Sequence, residues 1–124
     1  MDDTELYYHR LNTKEYIAVK PTSIVLIPEV RTKTAGGGYK TADGAPRPAQ
    51  TMRIIELGVN QAPPIIRLTD GKQREADFWL LGEWNVACEI GDHWTAPDGR
   101  EWEVGDIVRP NGYEMRALVS ERGK

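Results

Sequence analysis

Cysteine is nearly absent from this chain. Cys88 stands alone among 124 residues, which excludes an intrachain disulfide and fits synthesis in a reducing cytoplasm. Histidine is almost as scarce. His9 and His93 lie far apart in sequence, and neither has a ligand-type partner about three to five residues on, so zinc spacing is missing and no metal or other cofactor is expected. No apolar run approaches the roughly 20 residues of a membrane span, so no membrane partner is expected. The N-terminus, MDDTELYYHR, is acidic and lacks the apolar stretch of a secretory signal. A G-x-S-x-G elbow, a Walker loop and a dinucleotide fingerprint are all missing. With no nucleophile, base and oxyanion donor to assemble, no catalytic residue is assigned and an enzyme is not expected. A hydrophobic share of 40% beside 28% charged residues nevertheless supports a single domain with an ordinary core over residues 1–124.

What the chain does have is segregated charge. Between Arg31 and Arg53 stand five cations (Arg31, Lys33, Lys40, Arg47 and Arg53) and one acid, Asp43, a local +4. The whole chain is formally −3, which leaves −7 for everything else. Gly36, Gly37 and Gly38 lie side by side in this segment and Gly44 follows, while Pro46 and Pro48 stiffen the exit. Glycine runs lose too much entropy to hold a strand or helix, and proline removes a backbone donor. The segment therefore reads as a mobile basic loop, with these four glycines as its hinge and Tyr39 at its centre. Gly36–Gly38 lacks the Lys-Ser/Thr ending of a phosphate cradle. Contact with a phosphate backbone through charge alone remains the chemistry that fits, independent of base sequence.

Around the loop the pattern is that of short strands. Glu15–Val19 reads as the first strand, behind a possible N-terminal arm over 1–14 whose residues Thr4–Tyr8 are either a short helix or free. Ile24–Ile27 is continuously apolar, so both faces should be covered, one of them by a neighbouring subunit. Ile55, Leu57 and Val59 alternate with polar or small residues, Gln61–Pro64 makes a turn, and Ile66 and Leu68 alternate beyond it. Glu75–Leu81 could be one helical turn or a strand buried on both sides and reads as the strand, with Trp79 out of phase and so a candidate subunit contact together with Ile24 and Leu26. Trp84, Val86, Cys88 and Ile90 form one side of an apparent strand. Trp94, Pro97-Asp98-Gly99, Trp102 and Val104 follow as a hairpin, with Glu101 and Glu103 facing outward. Asn111-Gly112 suggests a type I′ turn before a last strand, Tyr113–Val119, and Ser120–Lys124 reads as a frayed tail. The fold expected is all-β: a small single-domain β-barrel with a long Gly/Pro-rich loop inserted between two strands.

Three stretches, AGGGYKTADGAPRPAQTMRIIEL (35–57), FWLLGEWNVACEIGDHW (78–94) and DGREWEVGDIVRPNGYEMRALV (98–119), resemble the head-to-tail stopper (head-closure, or head-tail joining) proteins of long-tailed, siphovirus-type bacteriophages. The resemblance implies a virion protein of the neck that forms a homo-oligomeric ring, hexamer or dodecamer, beneath the portal and adaptor. It also implies contact with tail terminator or tube proteins below, and a loop reaching into the channel to hold packaged double-stranded DNA. A tail terminator or adaptor of the same neck resembles these stretches too. From the residues alone, a monomeric OB-like nucleic-acid-binding module is the alternative.

Overall fold

The structure, a computed structural model, describes residues 2–58 and 62–122. It opens with a helix, α1 (Asp3–Val19), that replaces both the arm and the strand expected over Glu15–Val19. Asp2 caps it, its carboxylate accepting from Glu5 N at 2.8 Å, and Asp3 and Glu5 add negative charge to the first turn where the helix dipole favours it. Thr13 and Ile17, four apart, form the buried stripe. The last turn has no cation of its own. Arg53 supplies one from the sheet: its Nη1 donates to Tyr16 O at 2.9 Å and its guanidinium stacks 4.0 Å from the Tyr16 ring. The β-branched Ile17 and Val19 favour a strand locally, and the cap and this tertiary partner override them.

Six strands make one sheet in the order β1 (Thr22–Ile24), β4 (Gln50–Glu56), β7 (Phe78–Glu83), β10 (Glu114–Glu121), β9 (Glu101–Val108), β8 (His93–Thr95), every neighbouring pair antiparallel. The two ends of the sheet meet. Just past β1, Ile27 N donates to His93 O at 2.8 Å and His93 N to Ile27 O at 3.1 Å, so the sheet is nearly closed into a small barrel. The chain is thus an all-β barrel carrying one helix. Met52, Leu80, Val104, Met115, Ala117 and Val119 point inward with no exposure at all, and Phe78, Trp94 and Trp102 fill the space between them.

The Ile24–Ile27 run alternates instead of being covered on both faces: Ile24 and Leu26 enter the barrel core and Val25 is exposed. Ile24 and Leu26, expected as subunit contacts, are therefore consumed inside the chain's own core and have no surface left for a neighbour. α1 packs on β7 and β4 at one end of the sheet's outward face. At the other lies a small hairpin, β5 (Ile65–Arg67) with β6 (Gln73–Glu75), whose Ile66, with Leu68 and Ala76, packs on Leu118. At Gly105 a Cβ would fall 2.5 Å from Ile66 Cδ1, so only glycine lets this hairpin lie flat. Val59 and Gln61 lie outside the described residues, as do Gly123 and Lys124. Ser120 and Glu121 are not a frayed tail, since they belong to β10 and Ser120 is buried.

The largest departure from the sequence reading lies at 84–90. The chain leaves the sheet at Glu83 and no strand follows. Arg109 donates from Nη1 to Trp84 O at 2.9 Å and from Nη2 to Val86 O at 3.0 Å. Gln50 donates to Ala87 O at 2.9 Å and accepts from Ala87 N at 2.7 Å. Side chains satisfy this backbone where a ladder was expected. Trp84 and Ile90 are consequently exposed, and Trp84 lies under the Arg10 guanidinium at 3.7 Å. Only Cys88 of that alternation is fully buried. The Asn111-Gly112 turn also differs: Gly112 has φ 75°, but Asn111 keeps a negative φ and uses its side chain, accepting from Tyr113 N at 3.1 Å and donating to Glu114 at 2.8 Å.

Burial pushes the Cys88 thiol up to about 12, with the nearby Asp92 carboxylate adding to the shift. The neutral thiol is thereby favoured in the fold. Its contribution to stability is full below the ordinary thiol value of 9.0 and is lost as pH rises toward about 12. We expect thiol reagents at neutral pH to label Cys88 only on unfolding. In alkaline melts, replacing Cys88 with Ala should shrink the loss of stability between about pH 9 and about pH 11. Rapid native labelling contradicts the placement.

Candidate nucleic-acid interface

The segment read as a mobile loop is a two-stranded ribbon. β2 (Glu29–Lys33) pairs with β3 (Tyr39–Asp43) from Glu29↔Asp43 at the base to Lys33↔Tyr39 at the far end. The glycines sit at the tip. Thr34 N donates to Gly38 O at 2.8 Å, Gly37 N to Thr34 O at 3.1 Å, and Gly37 takes φ 88°, which non-glycine residues avoid. Gly36–Gly38 thus form a tight turn. Gly44 does something else: it closes the base, its N–H donating to Pro28 O at 2.7 Å, and a Cβ there would lie 2.9 Å from Val30 Cγ2. The ribbon belongs to neither the barrel sheet nor the β5–β6 hairpin, and at about 3.4 Å per residue its five pairs reach about 17 Å. Almost every residue on both its faces is exposed.

Strand alternation sorts its side chains. Arg31, Lys33 and Tyr39 share one face, where the Arg31 guanidinium lies 5.4 Å from the Tyr39 ring. Lys40 is on the other face with Val30, Thr32 and Ala42. Arg31, Lys33 and Lys40 make no ion pair among the described residues.

The other two cations of the segment are already engaged. Arg47 is one-fifth exposed and holds Asp92, donating from Nε to Oδ2 at 2.9 Å and from Nη2 to Oδ1 at 3.2 Å. Asp92 is 1% exposed, so Arg47 belongs to the barrel wall. Arg53 belongs to β4 and caps α1. Sequence proximity put five cations in one loop, and topology leaves three on the ribbon. Replacing Arg47 with Ala strands a buried carboxylate and should cost about 2–3 kcal/mol in denaturant unfolding. A loss below about 0.5 kcal/mol would show the pair to be ornamental.

A second concavity lies between α1 and the sheet, an open groove of about 400 Å³ lined by His9, Tyr16, Ile55, Trp79, Leu81 and Tyr113 among others. Trp79 faces outward as its phase requires, but it packs against the cluster of Ile66, Leu68, Ala76 and Leu118, so it is only partly available to a neighbour. The aromatic faces here are largely taken: His9 stacks on Tyr113 at 4.6 Å and Arg53 on Tyr16. Glu114 at its rim is bonded to Asn111 and to Arg116 at 2.8 and 2.7 Å. The pairing of His9 with Tyr113 had no signal in the sequence, because it depends on where α1 docks.

Among the described residues no group of three or more His, Cys, Asp or Glu side chains could hold a metal ion, and no helix is long and apolar enough to cross a membrane. Comparison with family models, with curated proteins and with solved structures returns no match for this chain.

Proposed function

We propose that this chain is a non-enzymatic structural protein of a phage neck, a head-to-tail stopper. In this reading it forms a ring below the portal and adaptor, contacts the tail proteins beneath, and holds packaged double-stranded DNA without reading its sequence. The observation that carries the reading is the ribbon. A two-stranded ribbon with both faces in water is marginal alone, so its retention in a stable barrel argues for something that it meets. Three cations without acidic partners meet phosphate better than they meet each other. The only helix among the described residues is unsuited to a groove, because Asp2, Asp3 and Glu5 crowd acid into its start. Contact through the ribbon is then independent of base sequence. Apolar surface for ring contacts lies on α1, where Tyr7, Tyr8 and Val19 are 63%, 57% and 76% exposed. The test is reversal of the ribbon charges in assembled particles. Loss of packaged DNA before tail joining supports the reading, and full retention overturns it.

A further inference from the structure

The base of the ribbon is built differently from its shaft. The only carboxylates on its two strands are Glu29 and Asp43, and they stand directly opposite each other at the root. Like charges in that register repel. Each is drawn instead to its own cation on the barrel. Glu29 Oε1 accepts from Arg122 Nη2 at 2.9 Å, and Asp43 Oδ1 lies 2.9 Å from His93 Nε2. The two anchors share a mounting. His93 on β8 is the cross-strand partner of Glu103 on β9, and Glu103 holds Arg122 in place, Oε1 accepting from Arg122 Nε at 2.7 Å. Glu103 was expected to face solvent, but it is 1% exposed and also accepts from Thr69 N at 2.8 Å and Thr69 Oγ1 at 3.0 Å. The His93 backbone is the barrel's closing bridge to Ile27. The anchors are therefore rigid, while the ribbon pairs with no barrel strand and joins the barrel through Pro28 and Gly44.

The two prongs differ in kind. Arginine keeps its charge at any working pH. His93 faces an acceptor at each ring nitrogen, Asp43 at Nε2 and Gly91 O at 3.3 Å from Nδ1. Only the imidazolium donates to both. Loss of its proton leaves an acceptor facing a lone pair and removes the cation that separates Asp43 from Glu29. The other charged groups around it are engaged elsewhere: Glu103 by Arg122, and Asp92, the preceding residue, by Arg47.

We propose that the ribbon is a hinged arm held against the barrel by a two-pronged ionic latch, Glu29–Arg122 and Asp43–His93. The arm is held while both prongs are made, and it swings once the exposed Asp43 prong is lost. This concerns where the ribbon points and is independent of what it binds.

Paired spin labels at Lys33→Cys near the tip and Thr51→Cys on the barrel read the arm's position, with buried Cys88 unlabelled. The parent should give one narrow distance. Asp43 is exposed, so Asp43→Asn should fold normally and give a broadened or second population, as should His93→Gln if it folds. A broad distribution in the parent, or a narrow one in Asp43→Asn, overturns the latch.

Discussion

Trp102→Ala should lose about 3–5 kcal/mol of unfolding free energy, the usual cost of deleting a large buried aromatic. Trp102 sits on β9 with its ring 4.8 Å from Phe78 in an edge contact, and the Arg100 guanidinium lies 4.9 Å from its outer face. It is 9% exposed and belongs to the same cluster as Trp94 and Val104, so the cavity opens into the barrel core. Neighbouring strands closed on themselves collapse poorly into such a gap. The informative control is Trp84→Ala. Simple alternation places both tryptophans in one core, but Trp84 is 42% exposed and its main contact is the Arg10 guanidinium. It should cost about 1 kcal/mol or less. Urea midpoints measured side by side decide the matter, since equal losses would restore the alternating strand through 84–90 that the structure lacks.

Much of the barrel was legible because one-sided burial leaves a period of two. Met115, Ala117 and Val119, or Trp102 and Val104, could be placed inward from sequence alone, and Gly99 marked the turn between β8 and β9 correctly. The failures share a physical cause. At 84–90 the same period arises by accident in a segment whose backbone is satisfied by Arg109 and Gln50, residues distant in sequence. At α1 the cap is local, Asp2 with Glu5 three residues on, and could have been read as a helix start, but Arg53, which holds the other end, comes from β4. Glu103 looked like one more solvent-facing acid, and its partners Arg122 and Thr69 come from other elements. The cationic segment was visible as composition. What composition could not show is that its strands pair, that Arg47 and Arg53 serve the barrel, and that the glycines divide between a tip and a base.

That division determines how the proposed DNA contact should be tested. A variant including Arg47→Glu would set a carboxylate against buried Asp92 and fail by unfolding, whatever the ribbon does. The informative change is Arg31→Glu, Lys33→Glu, Lys40→Glu, three exposed positions without ionic partners. Its unfolding free energy should stay within about 0.5 kcal/mol of the parent per site. One subunit offers about three phosphate contacts, each contributing a salt slope near 0.9, so isolated chains should bind DNA feebly at physiological salt. A ring repeats those contacts around one axis, and reversal there turns attraction into repulsion along the whole constriction. Particles carrying the variant should assemble a neck yet release packaged DNA before tails attach, and raising salt should mimic the loss in the parent. Tyr39→Ala serves as the complementary arm, because Tyr39 is 65% exposed beside the turn and is the bulkiest group on the ribbon. If the charge-reversed particles keep their DNA while Tyr39→Ala particles leak, the ribbon acts as a steric plug and its charges are incidental. If both keep it, the ribbon does not close the channel at all.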